Sequence, residues 1–225
     1  MDNLSDKEII ESWSNNATSW ISAIREKKIQ SRIEITNQSI IESIKSVSGK
    51  TILDIGCGEG WLVRELSLLG YSVSGLDVVP ELVDAAKKSG ADTFYTMPYE
   101  EISEHVIPER FDLAVCNFSL LGKESTEHVI KVLPSLLNQN GCLIIQTLNP
   151  RGACGDSPYK DGWRVGSWVG FSESFCDPAP WFFRTTVSWL KLLTDNGFEV
   201  IEQQEPINSV TEESASLILV GRKLS

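Results

Sequence analysis

The sequence predicts an α/β protein built on a doubly wound, mostly parallel sheet, and three observations carry this prediction. Short apolar runs alternate with helix-like stretches over about 100 residues from Thr51 onward, an order typical of a parallel sheet with helices on both faces. Three alternate glycines, Gly56, Gly58 and Gly60, directly follow the first apolar run. Near the other end, FEVIEQQEP and SASLILVGRK flank a short acidic loop, which predicts an antiparallel pair at one sheet edge.

Residues 5–47 predict helices that precede the sheet. In their first part, large and small apolar side chains recur at spacings that fall on one helix face: Trp13, Ala17, Trp20 and Ile24. The second part is rich in isoleucine and ends at Gly49. Thr36 and Asn37 are candidates for a break or a cap between the two parts.

Five strands and three helices are predicted over residues 51–150. The strands are apolar runs, the third of them weak: TILDIG, YSVSGLD, DTFYTM, FDLAVCNFSLL and CLIIQTLNP. The helices lie at about residues 60–69, in PELVDAAKKSG and in ESTEHVIKVLPSLLNQNG. The second helix begins with Pro80 and ends near Gly90, the usual asymmetry of helix ends.

The alternation stops after Pro150 and resumes with a helix at about residues 186–196. A connection this long inside a compact domain is usually functional. It is dense in aromatic side chains: Trp163, Trp168, Phe171, Phe175, Trp181, Phe182 and Phe183. These indicate either a lid over an apolar or aromatic ligand or ordinary packing onto the sheet edge.

The glycine turn after the first strand predicts a ligand site. A strand leading into D-x-G-x-G-x-G and then a helix exposes main chain, because glycine adopts positive φ and has no side chain. Asp77 lies 23 residues after Asp54, about where nucleoside-binding sheets place an acid that accepts hydrogen bonds from ribose hydroxyls. The alternative is a turn in which glycine only relieves crowding, but one glycine would suffice for that.

The charges around the turn favour a cationic ligand over a dinucleotide. Dinucleotide sites use G-x-G-x-x-G, whereas here Trp61 stands at the last position of that pattern. Asp54 and Glu59 would repel a diphosphate, but they would attract a ligand that carries sulfonium and ammonium groups.

LDIGCGEG and VSGLDVVP resemble motif I and the following acidic motif of class I S-adenosylmethionine-dependent methyltransferases. FDLAVCNFSLLG, NGCLIIQTLNP and LLTDNGFEVIEQQEP resemble later motifs of that family, so the resemblance covers about residues 50–222. The N-terminal helices and the aromatic segment are most similar to small-molecule members, among them the ubiquinone-biosynthesis O-methyltransferase-like group. The resemblance implies a seven-stranded sheet of order 3-2-1-4-5-7-6 with strand 7 antiparallel. It also implies a helical cap at residues 1–48 and a catalytic domain at 49–225, with an insert or lid at about 150–185.

The resemblance implies that the cofactor is S-adenosylmethionine. Backbone around its methionine part would come from Gly56, Cys57, Gly58 and Gly60. Asp54 would orient the cofactor near its ammonium, directly or through water. Asp77 would hold its ribose hydroxyls, and Val78 would pack beside the adenine. Candidates for the adenine edge, whose alternative is ordinary loop packing, are Met97, Pro98 and Tyr99. Candidates where cofactor and acceptor meet are Cys116, Asn117 and Phe118.

Arg32 is a further cofactor candidate. Some small-molecule members bind the cofactor carboxylate with an arginine about 20 residues before motif I, and Arg32 lies 24 residues before Gly56. The alternative is a solvated helix face, since Arg25, Lys27 and Lys28 make the same stretch basic.

No catalytic residue or metal site is predicted. The two histidines, His105 and His128, lie away from the predicted strand ends, and Cys116 has no nearby base. The five cysteines form no CxxC pair, which argues against zinc and disulfides. Methyl transfer can proceed by alignment of acceptor, methyl carbon and sulfur, because sulfonium is already an excellent leaving group.

The amino-acid composition limits the kinds of substrate and partner that we expect for this protein. A formal net charge of −11 and a pI near 4.7 argue against nucleic acid as a substrate. No run of about 18 apolar residues predicts a membrane span, and the polar N-terminus lacks the order of a signal peptide, so we expect a cytoplasmic protein. The oligomeric state stays open.

The predicted function is methyl transfer from S-adenosylmethionine to a small-molecule acceptor, apolar or aromatic, with oxygen favoured over nitrogen. Three alternatives stay open: a methyltransferase of protein or nucleic acid, a nicotinamide oxidoreductase, and a non-catalytic protein that binds S-adenosylmethionine. CNFS after the fourth strand offers no Asn-Pro-Pro-Tyr-type motif, which argues against the first of them.

Overall fold

The computed structural model describes residues 4–89, 93–209 and 211–224. The strands are β1 (Thr51–Ile55), β2 (Ser72–Asp77), β3 (Thr93–Thr96), β4 (Phe111–Asn117), β5 (Leu137–Thr147), β6 (Gly162–Arg164), β7 (Trp181–Phe183), β8 (Phe198–Gln204) and β9 (Leu217–Lys223). The helices are α1 (Asp6–Asn15), α2 (Ala17–Arg25), α3 (Asn37–Ser46), α4 (Trp61–Leu68), α5 (Pro80–Lys87), α6 (Glu124–Leu136), α7 (Pro150–Ala153) and α8 (Thr186–Asp195). A π-helical turn at Arg32–Thr36 and a 3-10 turn at Tyr99–Glu101 complete the elements of these ranges.

Seven of the strands form one sheet in the order β3-β2-β1-β4-β5-β9-β8. β1 to β5 pair in parallel, and β9 pairs antiparallel with both β5 and β8. The predicted fold class and strand order are therefore confirmed, with β8 and β9 as the sixth and seventh strands of the sheet. Ligands of such sheets bind beyond the carboxyl ends of the strands where the strand order reverses, here between β1 and β4.

The N-terminal helices divide differently from the expectation. Ile40 and Ile44 of α3 are fully buried in one core cluster with Ile52 of β1, so α3 packs on the sheet. α1 and α2 precede it, and the chain leaves the helical path after Arg25 instead of at Thr36, where the π-helical turn runs straight into α3. We therefore use "cap" below for α1 and α2 alone.

The segment between β5 and α8, called the insert here (residues 150–185), is more regular than expected. It holds α7 and an antiparallel hairpin of β6 and β7. The hairpin is attached to the loop after β4, because the backbone N–H of Phe182 donates to the Leu121 carbonyl at 2.7 Å.

Two predicted details, the helix end near Gly90 and a third strand that begins at Asp92, lie outside the described residues. Within the described ranges, no helix combines the length and the apolar character needed to cross a membrane.

Candidate functional site

A cleft opens at the carboxyl ends of β1, β2 and β4, with a volume of about 920 Å³ including its open mouth. The glycine turn forms its floor, and the cap forms one wall. Nine of the fourteen residues that the sequence assigned to the cofactor line it: Arg32, Gly56, Cys57, Gly58, Asp77, Val78, Tyr99, Asn117 and Phe118. The other five are not among its lining residues: Asp54, Gly60, Met97, Pro98 and Cys116.

The glycine turn has the expected backbone conformation. Gly56, Gly58 and Gly60 have φ values of 73°, 56° and 79°, in the left-handed region that favours glycine. A Cβ on Gly56 would lie 2.3 Å from the Ser119 Cβ, so the turn tolerates no side chain there. The N–H groups of Gly56 and Cys57 both donate to the Leu76 carbonyl, at 2.8 and 2.9 Å, which ties the turn to β2.

Asp77 joins the end of β2 to the glycine turn. Its two carboxylate oxygens accept hydrogen bonds from the N–H groups of Gly58 and Val79, both at 2.9 Å. Burial raises the pKa of Asp77, and these backbone donors oppose that shift. A carboxylate oxygen accepts more than one hydrogen bond, so each keeps capacity for a ligand hydroxyl.

Asp54 and Arg32 each bring an unpartnered polar atom to this end of the fold. Asp54 is buried behind the turn, and its Oδ2 has no hydrogen-bond partner. Burial raises the pKa of Asp54 to about 7, with a further increase from the Asp77 charge and a decrease from Arg32. The Arg32 guanidinium donates from Nε to Asn37 Oδ1 at 3.2 Å, while its Nη2 has no partner.

Arg32 is 8% exposed and lies between two indole rings, 4.8 Å from the centre of Trp61 and 5.6 Å from that of Trp20. Burial lowers its pKa to about 10, although the charges of Glu59 and Asp54 oppose this. A solvated helix face, the alternative for this arginine, is therefore wrong.

Glu59 differs from its expected role. Its side chain is completely buried and paired with Arg25 at 3.0 Å and Arg64 at 2.6 Å. Two guanidinium groups neutralise it, so it does not present a charge to a ligand. It instead links α2 to the glycine turn through Arg25.

The end of β4 forms the opposite side of the cleft. Phe118 has a φ of 55°, a strained conformation for a bulky residue that is often associated with function. Its N–H donates to the Gln146 carbonyl at 2.7 Å, which holds the turn in place. The neighbouring Asn117 has a buried Oδ1 without a partner.

The ionisable side chains near the end of β4 are poor general bases and poor nucleophiles. Burial raises the pKa of the Tyr99 hydroxyl well above its ordinary value, and that hydroxyl donates to the Ser119 carbonyl at 3.3 Å. Burial also raises the pKa of the fully buried Cys116 thiol. Of the described lining residues, none is a histidine.

The sequence did not assign the cap to the site. α1 and α2 contribute five lining residues: Asp6, Ile9, Ile10, Trp13 and Trp20. Helical periodicity identified the face that carries Trp13 and Trp20, but nothing local indicated what the face would meet. Asp6 fastens α1 over the cleft, because its carboxylate accepts from the N–H groups of Lys123 at 2.9 Å and Ser125 at 2.6 Å.

The aromatic insert braces the cap. Trp168 lies 5.7 Å from Trp13, and Phe171 lies 6.4 Å from Trp20, as distances between ring centroids. Among the described residues that line the cleft, none belongs to the insert.

Comparison with known proteins bears on the family. A family model described as a methyltransferase domain matches residues 30–203, well over half of the chain. The chain is 32% identical over 113 residues to the ubiquinone biosynthesis O-methyltransferase of Paraburkholderia phymatum, covering 48% of this chain and 49% of the relative. It is 28% identical over 147 residues to a Coxiella burnetii protein of the same name, covering 64% of this chain and 63% of the relative. These matches thus span less than two thirds of the relatives' length.

A solved structure has the same fold. The magnesium protoporphyrin IX methyltransferase from Synechocystis PCC 6803, solved with bound S-adenosylmethionine, aligns with a TM-score of 0.65 at 19% identity over 99% of this chain and 100% of that chain. Together with the family match and the glycine turn between β1 and α4, this likeness agrees with the resemblance found in the sequence. The chain therefore belongs to the class I S-adenosylmethionine-dependent methyltransferases, whose cofactor is S-adenosylmethionine.

Proposed function

We propose that this protein transfers the methyl group of S-adenosylmethionine to the hydroxyl oxygen of an uncharged, apolar small molecule. The observation that carries the proposal is the division of one cleft into a polar end at the glycine turn and an apolar wall on α1.

The polar end offers groups that complement those of the cofactor. The unpartnered Nη2 of Arg32 suits its carboxylate, and the unpartnered Oδ2 of Asp54 suits its ammonium. Asp77 takes the ribose hydroxyls with its remaining acceptor capacity. The backbone of Gly56, Cys57 and Gly58 is proposed to face the methionine part, and Gly60, which does not line the cleft, is proposed to support the turn.

The remaining cofactor candidates differ in whether they line the cleft or lie behind its lining. Val78 and Tyr99 line the cleft and are proposed to contact the adenine, with Met97 and Pro98 supporting that segment from behind. Asn117 and Phe118 are proposed to contact the methyl-bearing end of the cofactor. The buried Cys116 contributes packing beneath them.

The apolar end suits an uncharged acceptor. Its wall includes Ile9, Ile10, Trp13 and Leu121. Asp6 and Glu100 also line the cleft, and Arg32, the sole Lys or Arg among the described lining residues, is assigned to the cofactor carboxylate. A carboxylate-bearing acceptor would meet negative charge here, so an uncharged acceptor is favoured.

The chain's residues act by orientation. When bound, S-adenosylmethionine supplies a methyl group activated by its sulfonium. Phe118 and the α1 wall exclude water and hold the acceptor oxygen in line with that group. The hydroxyl is proposed to be phenol-like and to release its proton to solvent, because a phenol ionises more readily than an alkyl alcohol where no strong base is at hand. In this proposal α1 and α2, within residues 1–48, cover the acceptor, and residues 150–185 brace them.

The name of the curated relatives, O-methyltransferases, supports oxygen as the acceptor atom. A paired acceptor panel tests the proposal. Uncharged apolar phenols should be methylated at higher kcat/KM than the same phenols with an added carboxylate. Ile10→Arg should reduce or reverse the preference for uncharged phenols, because it adds a cation to the acceptor wall.

Calorimetry with S-adenosylhomocysteine provides the first control. Failure to bind it, or tighter binding of a nicotinamide dinucleotide, would overturn the cofactor assignment. Binding without turnover across the panel would support a non-catalytic protein instead. Preference for the carboxylate-bearing phenols would contradict the proposed acceptor class.

A further inference from the structure

We infer that Trp20 binds the cofactor by donating its indole N–H to the cofactor carboxylate beside Arg32. The inference rests on the proposed placement of the cofactor in the glycine turn. Trp20 stands ten residues before the first residue of the family match, so this contact belongs to the cap and not to the matched domain.

The indole faces the turn at its barest point. Trp20 Nε1 lies 3.5 Å from the position that a Cβ of Gly58 would occupy, and Trp20 lines the cleft. Among the hydrogen bonds of the described residues, none is donated by the Trp20 indole N–H. The Trp168 indole N–H, in contrast, donates to the Cys176 carbonyl at 2.8 Å. Indole N–H groups usually find a partner when the ring is buried in packing. Trp20 is half-buried and not enclosed in packing, so its N–H is open to a partner in the cleft.

Arg32 brings a second free donor to the same place. Its guanidinium carbon lies 5.6 Å from the centre of the Trp20 ring, and its Nη2 is buried without a partner. A carboxylate has two oxygens that accept from separate donors. Two unpartnered donors, one cationic and one neutral, therefore match one carboxylate at this end of the cleft.

The cap holds Trp20 in position before any ligand binds. At the start of α2, the Asn16 side chain exchanges two hydrogen bonds with the backbone of Cys176, at 2.7 and 2.9 Å. At its end, Arg25 pairs with the buried Glu59 of the glycine turn at 3.0 Å. The ring itself packs edge-to-face on Trp13, with the centroids 4.9 Å apart. A donor fixed in this way binds without a further ordering cost.

Calorimetry on the full chain tests the inference with two probes. S-adenosylhomocysteine carries the carboxylate, and 5′-methylthioadenosine lacks the whole amino-acid part. Trp20→Phe keeps an aromatic ring but removes the N–H. We expect its Kd for S-adenosylhomocysteine to rise about tenfold, since hydrogen bonds to charged groups have that effect, while its Kd for methylthioadenosine changes less than twofold.

Trp163→Phe is the matched control, because it makes the same substitution in a residue that does not line the cleft and that packs on Phe182 of β7. It should leave both dissociation constants unchanged. A Trp20→Phe protein that binds S-adenosylhomocysteine as the wild type does, or that loses both probes equally, would overturn the inference. Wild-type protein that binds neither probe would instead overturn the proposed function.

Discussion

The glycine turn and the aromatic insert both lie near the carboxyl ends of the strands, yet they acquire their structures in different ways. The turn is bonded to the adjacent strand β2, 19 or 20 residues later in the chain, with the Gly56 and Cys57 N–H groups on Leu76 and the Gly58 N–H on Asp77. The insert combines hydrogen bonds within itself, such as that from Trp168 to Cys176, with contacts to distant elements: Trp168 meets Trp13 of the cap, and Arg184 donates to Lys123 at the start of α6. The comparison indicates that backbone requirements are readable from a local motif, whereas aromatic density does not reveal what the rings will cover.

The largest effect is expected at Gly56. A Cβ there would lie 2.3 Å from the Ser119 Cβ and 2.4 Å from the Tyr99 hydroxyl, and φ is 73°. Gly56→Ala should lower the free energy of unfolding by about 3–5 kcal/mol, the sum of overpacking and backbone strain. Urea denaturation measures it. Gly70→Ala is the control, because φ is 85° there but nothing lies within 4 Å. Equal losses in the two variants would mean that strain alone matters.

The next effect separates binding from folding within the same turn. A Cβ on Gly58 would meet only the Trp20 Nε1 within 4 Å, at 3.5 Å, so the space there is open to a ligand. Gly58→Val is strained, since φ is 56°, but without a steric clash it should remain folded by circular dichroism. Its Kd for S-adenosylhomocysteine should rise more than about 100-fold, because the side chain fills the cofactor's place. Unchanged affinity would refute the placement of the site.

A substitution in the insert should have the opposite effect: it should lower the stability of the fold and leave the cofactor affinity unchanged. Arg184 is 4% exposed, and its guanidinium donates to the carbonyls of Gly122 at 2.9 Å and Lys123 at 3.0 Å. Arg184→Met leaves those carbonyls without a donor, which should cost about 2–4 kcal/mol of unfolding free energy. Its Kd for S-adenosylhomocysteine should stay within about twofold, since Arg184 does not line the cleft. A parallel loss of affinity would show that the insert and the turn act as one unit.

The last effect is a pH dependence that originates behind the turn. Burial, with a smaller contribution from Asp77, raises the pKa of Asp54 from 3.8 to about 7. Folding therefore favours protonated Asp54, and the stability associated with it is present below pH 3.8 and lost as pH rises through about 7. Asp54→Asn should accordingly be more stable than the wild type above pH 7 and equal to it near pH 4.

Cofactor binding should depend on pH with the opposite sign. Ionised Asp54 attracts the ligand ammonium, so the affinity for S-adenosylhomocysteine should increase about tenfold from pH 6 to pH 8. Asp54→Asn should bind more weakly and show a flatter profile over that range. A wild-type profile as flat as that of the variant would argue against contact between Asp54 and the ammonium.

The sequence predicted the strand–helix alternation and the glycine turn because both are local patterns, whereas the sheet order and most of the nine predicted residues that line the cleft were implied by the family resemblance. The sequence analysis was wrong about Glu59, which it expected to present a negative charge to the ligand. Arg25 reaches it from α2, 34 residues earlier in the chain, and no spacing rule predicts that pairing.

Three determinations required nothing beyond the order of residues: the doubly wound fold, the bare turn at Gly56–Gly60 and the acid at the end of β2. Each follows from conformations that glycine or a buried apolar run imposes on its own segment. The tertiary structure alone decided that α1 and α2 cover the cleft, that Trp20 and Arg32 bring unpartnered donors together, and that the insert braces the cap. Those positions depend on contacts between segments up to about 160 residues apart, whose mutual packing no local preference specifies.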